Sequence, residues 1–295
     1  MTARRVLVLG GSGMLGHKLW QVLSQRVEAY ATLRTSEHPA ARLELLDPAR
    51  TILDVAADSF DTVERALASA QPQVVVNCIG IVKQVREARD PIPSISINSL
   101  FPHRLAALCR AEGVRLIHVS TDCVFSGRTG GYDESDIPDP VDLYGRSKLL
   151  GEVDDAEDCL TVRTSIVGRE LAGASGLLEW FLAQQGTVRG FRRAIFSGLT
   201  TEALAGILAS IVSDHRDLTG IRHVASAPIS KHDLLWMLKD AYRSNVEIVA
   251  DDEVVCDRSL DGSRFEQETG LRAPSWDEMV TQLAADTTPY ERLRS

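Results

Sequence analysis

Residues 6–9 form a short aliphatic run, Val-Leu-Val-Leu, that breaks directly into Gly10, Gly11, Ser12, Gly13, Met14, Leu15 and Gly16. Beyond it, Leu15, Leu19, Val22 and Leu23 recur at a helical period. A strand that turns into a helix through glycines spaced GxxGxxG is the setting in which that spacing signals a dinucleotide site. Each glycine answers a separate physical demand. Gly10 permits the turn, Gly13 lets backbone N–H groups approach a pyrophosphate at the positive end of the helix, and Gly16 lets helix and strand pack closely. Met14 and Leu15, at the start of that helix, join the expected cofactor contacts.

The rhythm continues along the first half. A second strand over residues 29–33 ends at Arg34. An acidic residue at that end would accept hydrogen bonds from the adenosine ribose of NAD, whereas an arginine can hold the extra phosphate of NADP. Arg34 therefore tilts the expected cofactor to NADP(H), with NAD(H) as the alternative. Residues 52–55 follow, placing Asp54 and Val55 where they could flank an adenine, although Asp54 equally suits a turn. An amphipathic stretch covers 58–70, and 73–79 is a continuous apolar strand of the kind buried on both faces in parallel sheets. At its end Cys78, Ile79 and Gly80 are expected beside the cofactor, Gly80 leaving room for ribose and nicotinamide. After a break at 90–93 comes a helix over 96–112. Asn98, near its start, either reaches towards a lysine of the site or satisfies the backbone of a bent helix. Gly113 ends that helix, and a strand runs over 114–120. This alternation predicts an α/β fold, a doubly wound parallel sheet with its site at the carboxyl ends of the strands.

Residues 115–152 carry the second constellation. The strand releases Ser120, Thr121 and Asp122, a Gly/Asp/Pro-rich loop follows, and a helix then presents Tyr144 and Lys148 one turn apart on one face. An ammonium beside a phenol favours the phenolate, which makes Tyr144 a better proton donor and acceptor near neutral pH. The Thr121 hydroxyl could bind the same substrate oxygen. YxxxK by itself is a common surface spacing; following a strand-end STD and a glycine turn, it reads as a catalytic pair.

With 295 residues the chain can bury one large or two unequal domains. Its net charge of −9 argues against nucleic-acid or anionic-membrane partners, although local basic groups can still bind phosphates. The five cysteines (Cys78, Cys109, Cys123, Cys159 and Cys256) are scattered without metal-ligand spacing. They read as reduced thiols, and no metal site is expected. The N-terminal apolar run is too short for a signal-peptide core and no segment approaches spanning length, so a soluble cytoplasmic protein is expected.

Five segments in order, GGSGMLG (10–16), VVVNCIG (74–80), STDCVFSG (120–127), LYGRSKLLGE (143–152) and VRTSIVG (162–168), resemble the extended branch of the short-chain dehydrogenase/reductase superfamily. The closer resemblance is to dTDP-4-dehydrorhamnose reductases and related sugar-nucleotide reductases. It implies a Rossmann domain over 1–168 with catalytic Thr121, Tyr144 and Lys148. It also implies a smaller C-terminal α/β substrate lobe over 169–295, parts of which return to the first domain. Tyr144 would be the general acid, and Lys148 would hold the nicotinamide ribose and tune the phenol. Asp122 and Thr121 would meet the substrate, and Arg258 stands where such reductases carry a diphosphate-binding arginine. The implied reaction is NADPH-dependent reduction of a nucleotide-linked 4-keto-6-deoxysugar, with a nucleotide sugar as partner and homodimerisation left open. Two departures weigh against rhamnose itself as product: Cys123 interrupts STDYVF, and Ile166 stands where an aromatic residue often meets the sugar.

Two rivals follow from the same resemblance. An epimerase or dehydratase would retain NAD, but dehydratases usually add an acidic pair after the catalytic threonine, and Asp122 is followed here by Cys123. A non-catalytic NADP-binding regulatory subunit would not need Thr121, Tyr144 and Lys148 together. In the second half, residues 177–185 are apolar, and Arg189, Arg192 and Arg193 read either as a diphosphate cradle or as solvated loop residues. Thr200 or Thr201 caps a helix reaching Val212. Strands over 221–225 and 246–250 flank a helix over 231–242, helices over 261–268 and 276–285 read as structural, and 287–295 as a loosely held tail.

Overall fold

Seven short segments pair side by side, every neighbouring pair parallel, in the computed structural model, which describes residues 4–42 and 45–294. Residues 1–3, part of the N-terminal stretch read above, and Ser295 at the end of the tail lie outside the described residues. The first six strands are β1 (Arg5–Leu9), β2 (Glu28–Thr32), β3 (Thr51–Ile52), β4 (Val74–Asn77), β5 (Arg115–Val119) and β6 (Cys159–Arg163). The seventh, Gly220–His223, comes from far along the chain, and the order across the sheet is that strand, β6, β5, β4, β1, β2, β3. Chain order therefore reverses between β1 and β4. In a doubly wound sheet that reversal opens a crevice at the carboxyl ends of the strands.

Alternate residues of each strand feed two cores. Val6, Val8, Val74, Val76 and Ile117 pack under helix α1 (Met14–Ser24) and the helix Thr201–Asp214, meeting Leu15, Leu19, Leu204 and Leu208. Leu7, Leu9, Val75 and Leu116 face the helices Phe60–Ala70 and Phe101–Ala111 through Val63, Phe101 and Leu105. Burial on both faces explains the unbroken apolar runs of β1 and β4. Leu19 is fully buried, and truncating such a side chain to alanine costs about 2–5 kcal/mol.

The helix expected over 96–112 starts earlier and is not uniform. Pro91–Ser94 is α-helical, with Asp90 accepting from the Ile92 N–H at 3.0 Å, Ile95–Leu100 is a π-turn, and Phe101–Ala111 is α-helical again. Pro102 has no N–H to give the Asn98 carbonyl, which is the local reason for the wider turn. The freed carbonyl is covered by Gly151, where a Cβ would stand 1.9 Å from it.

Beyond β6 the chain leaves the sheet. Thr187–Phe191 pairs in parallel with Glu247–Asp251, while Ala194–Phe196 lies between Ile229–Ser230 and Cys256–Asp257. Thr200 caps the helix Thr201–Asp214, accepting from the Ala203 N–H at 3.4 Å, and that helix leads back to the strand Gly220–His223 beside β6. The tail is not loosely held: Tyr290–Arg294 is helical, with Tyr290 and Leu293 each only 3% exposed. An aromatic and an aliphatic side chain in so short an end suffice to dock it. Among the described residues, no helix is long and apolar enough to cross a membrane.

Candidate active site

A cleft of about 930 Å³ opens at the carboxyl ends of β1, β4 and β5. Gly13, Met14, Leu15, Cys78, Ile79, Gly80, Thr121, Asp122, Tyr144, Lys148 and Arg258 all line it. Gly10 makes the turn at φ +85°, and a Cβ on Gly16 would lie 2.0 Å from the Gly10 carbonyl oxygen. Both glycines thus shape the turn from within, while Gly13 borders the cleft. Gly13 is the N-cap of α1 and supplies no side-chain acceptor, so the first-turn N–H groups at the cleft wall carry no capping side chain. Bare backbone at a positive helix end fits the diphosphate of a dinucleotide. Gly80 completes the opening: a Cβ there would come within 3.9 Å of the Lys148 ammonium.

The helix that carries Tyr144 and Lys148, Leu143–Leu150, is seated by its own first turn. Asp142 accepts from the Gly145 N–H at 2.8 Å, and a Cβ on Gly145 would fall 2.2 Å from the Cys123 carbonyl oxygen. Helix and β5 turn are therefore flush, which brings Tyr144 to Thr121 and Cys123. Thr121 caps the short turn Asp122–Val124: its Oγ1 accepts from the Cys123 N–H at 3.1 Å and donates to Asp122 Oδ1 at 3.0 Å. Burial raises the Asp122 carboxyl above the ordinary range, against the pull of Thr121 and Arg258. Lys148 is 5% exposed and donates to the Val119 carbonyl at 2.8 Å. Burial pushes its ammonium down to about 8, with Glu152 and Cys78 opposing.

The phenol differs from expectation in one respect. Burial raises the Tyr144 pKa, Cys123, Asp122 and Asp142 add to this, and the Thr121 side chain opposes it; Lys148 is not among its principal influences. Lys148 is held at the Val119 carbonyl, and burial, more than any neighbouring charge, keeps the Tyr144 phenol protonated.

A family described as the RmlD substrate binding domain matches residues 4–288. This chain belongs to that family. RmlD-family members are extended short-chain dehydrogenases/reductases, and the likeness extends over whole chains. The probable low-salt glycan biosynthesis reductase Agl14 of Haloferax volcanii is 28% identical across 96% of this chain and 98% of its own length. A dTDP-4-dehydrorhamnose reductase of Mycolicibacterium smegmatis is 28% identical across 77% of this chain and 66% of its own. The solved structure of the Bacillus anthracis dTDP-4-dehydrorhamnose reductase in complex with NADP superposes with a TM-score of 0.78 at 20% identity, covering 97% of this chain and 100% of that one, which shows a shared fold.

Not every expected residue of this RmlD-family chain reaches the cleft. Arg34 sits just beyond β2, its side chain 76% exposed, within 3.9 Å of Asp58. Asp54 is an exposed left-handed turn residue at φ +59°, and Val55 is buried with Phe60 and Val63. The apolar side chain expected at an adenine thus faces the core instead. Asn98 takes neither expected role: it pairs with the backbone of Ile81 in the loop after β4, accepting from N–H at 2.8 Å and donating to C=O at 3.0 Å, and donates to Ser147 at 3.2 Å. Two of the three clustered arginines are neutralised in place, Arg189 by Asp251 and Glu253, and Arg192 by Asp252.

Sequence reasoning missed two lysines. Lys83, in the loop after β4, lines the cleft and pairs with Asp142 at 2.6 Å; Lys231 lines it from the start of the helix Lys231–Tyr242. No spacing in the sequence connects either to Tyr144 and Lys148. With Lys148 and Arg258 they outnumber Asp122 and Glu170 among the charged residues of the lining, Arg189 being already paired, in a chain of net charge −9.

Proposed function

We propose that this RmlD-family chain is an NADPH-dependent reductase of a nucleotide-linked 4-keto-6-deoxysugar. One observation carries the reading: Thr121, Tyr144 and Lys148 share a single cleft with an uncapped glycine turn and a basic wall. The nicotinamide, when bound, supplies the hydride for the keto carbon. Tyr144, held neutral by burial, protonates the carbonyl oxygen. Thr121 hydrogen-bonds the same oxygen, giving up its present bond to Asp122. Lys148, fixed by Val119, sets a positive charge beside the developing alkoxide and holds the ribose. Lys83, Lys231 and Arg258 face the substrate diphosphate. Cys123 and Ile166 line the cleft where the family often carries aromatics, which favours a sugar other than rhamnose. The likeness to a glycan biosynthesis reductase supports a place in polysaccharide assembly.

Further parts of the reading rest on separate observations. Arg34 is exposed and held only loosely by Asp58, free to turn to a 2′-phosphate, which supports NADP(H) over NAD(H). Residues 1–168, completed by the returning helix Thr201–Asp214 and strand Gly220–His223, act as the dinucleotide domain, and the remainder of 169–295 as the substrate lobe. Ile92, Ile95 and Leu100 on one helix and Leu150 on its neighbour are exposed, and they suit a homodimer contact. The five free thiols suit a reducing, cytoplasmic setting.

The deciding experiment measures NADPH oxidation against a panel of UDP- and dTDP-linked 4-keto sugars, with Tyr144→Phe as control. Turnover on a member of the panel that collapses in the variant is expected. NADPH binding with no consumption on any sugar would instead favour the regulatory-subunit reading.

A further inference from the structure

The second turn of α1 holds two polar side chains entirely inside the protein: His17 is 0% exposed and Lys18 4%. Groups buried so completely need partners. His17 Nδ1 lies 2.8 Å from the Gly13 carbonyl oxygen, which can only accept, so the ring proton sits on Nδ1. Burial pushes the imidazole down to about 4, so the ring is neutral and Nε2 is an acceptor. The group facing that acceptor comes from the far end of the chain. The Tyr290 hydroxyl donates to Asp286 Oδ2 at 2.7 Å, and its oxygen lies 2.9 Å from His17 Nε2. Asp286 pairs with Lys18 at 2.5 Å, and Lys18 donates to Thr288 at 2.9 Å.

The same terminal segment touches two further borders of the cofactor region. Tyr290 and Leu293 pack with Ala40, in the segment that follows β2, and with Leu171 at the cleft wall. The Arg169 guanidinium lies over the Tyr290 ring, 4.6 Å from its centre. Gly13 meanwhile is held on both sides of its peptide: its N–H donates to Gly10 at 3.0 Å, and its carbonyl accepts the His17 N–H at 3.2 Å as well as the imidazole.

We infer that residues 286–293 brace the glycine turn, with Tyr290 a positioning residue that acts through His17 on the Gly13 peptide and so sets the affinity for the dinucleotide. The inference rests on the reading that this turn holds the cofactor. Its physical basis is preorganisation: a backbone already fixed in its binding geometry loses less freedom when the diphosphate arrives.

The test is the dissociation constant for NADPH, read from its fluorescence on the purified full chain, for wild type, Tyr290→Phe, His17→Leu and the double variant, with Met279→Ala as a remote packing control. Tyr290→Phe removes the hydroxyl that meets His17 and Asp286, and His17→Leu removes the bond to Gly13; each is expected to weaken binding about three- to tenfold, the size of one hydrogen bond's loss at the turn. The double variant should be no weaker than the worse single one, because both cut the same link. The Michaelis constant for NADPH should rise in step while kcat and the constant for the sugar stay within about twofold. Met279→Ala should lower the melting temperature and leave the dissociation constant unchanged. Affinity that is unchanged in both Tyr290→Phe and His17→Leu overturns the brace and leaves the glycine-turn reading intact. A wild-type chain that binds neither NADPH nor NADH overturns both.

Discussion

Lys148 Nζ donates to the Val119 carbonyl at 2.8 Å, so the ammonium at the heart of the site is tied to the last residue of β5 rather than left at the end of a flexible stem. Burial has already pushed its pKa down to about 8, and the carboxylate of Glu152 opposes that fall. The ammonium is the form that carries charge, and it is lost as pH rises through about 8. The Tyr144 phenol, raised by burial, stays protonated over the same interval. We therefore expect kcat/KM to decline above about pH 8.

Glu152→Gln should displace that alkaline limb to lower pH, since it removes a negative charge that favours the ammonium. Glu152 also accepts from Arg163 at 2.8 Å inside the core, with both side chains 4% exposed. Breaking a buried pair from one side costs about 3–5 kcal/mol, so the variant should also be less stable in denaturant unfolding. A limb that stays in place, or moves upward, would contradict the assignment.

Tyr144→Phe should reduce kcat by roughly 10²–10⁴, the contribution typical of a positioned acid. NADPH affinity, followed by fluorescence, should change by no more than about threefold. A variant that binds poorly and turns over at the wild-type rate would reverse the role given to the hydroxyl.

Substitutions at Gly13 and Gly16 are expected to separate cofactor contact from packing. A Cβ at Gly13 would meet only the Gly10 carbonyl oxygen, at 3.3 Å, and its φ of −74° suits any residue. Gly13→Ala should therefore fold with a stability change within about 1 kcal/mol and yet bind NADPH at least about tenfold more weakly. At Gly16 the same methyl would sit 2.0 Å from the Gly10 oxygen, so Gly16→Ala should lose about 1–3 kcal/mol or more of stability by itself. Urea unfolding beside a binding titration checks both.

Arg34→Asp should shift preference from NADPH towards NADH. A charge-assisted bond to phosphate contributes about 1.5–3 kcal/mol, so the ratio of kcat/KM values should fall by about tenfold or more. An unchanged ratio would remove Arg34 from the cofactor site.

What was legible beforehand was local. The glycine turn, the apolar runs of β1 and β4 and the one-turn spacing of Tyr144 and Lys148 each lie within a few residues of one another, and the sheet follows from their alternation. What was hidden joins distant parts of the chain. Lys83 with Asp142, Arg189 with Asp251, and His17 with Tyr290 leave no period to read, because opposite partners are chosen by the fold and not by spacing. The start of the helix at Pro91 was misjudged for a different reason: the prolines at 91 and 93 read as a break, whereas Asp90 caps the helix and Pro91 opens it. Val55 joins the core directly after a left-handed turn at Asp54, and no spacing in the sequence announces that turn.

The strand Gly220–His223 closes the sheet against β6, and the helix Thr201–Asp214 covers α1. A protein cut after residue 168 would thus expose the hydrogen-bonding rim of β6 and strip the apolar roof from Leu15 and Leu19. Such a half-molecule is built to stick to its own kind, and anyone wishing to isolate the nucleotide-binding part would have to carry the chain through His223 to keep it in solution.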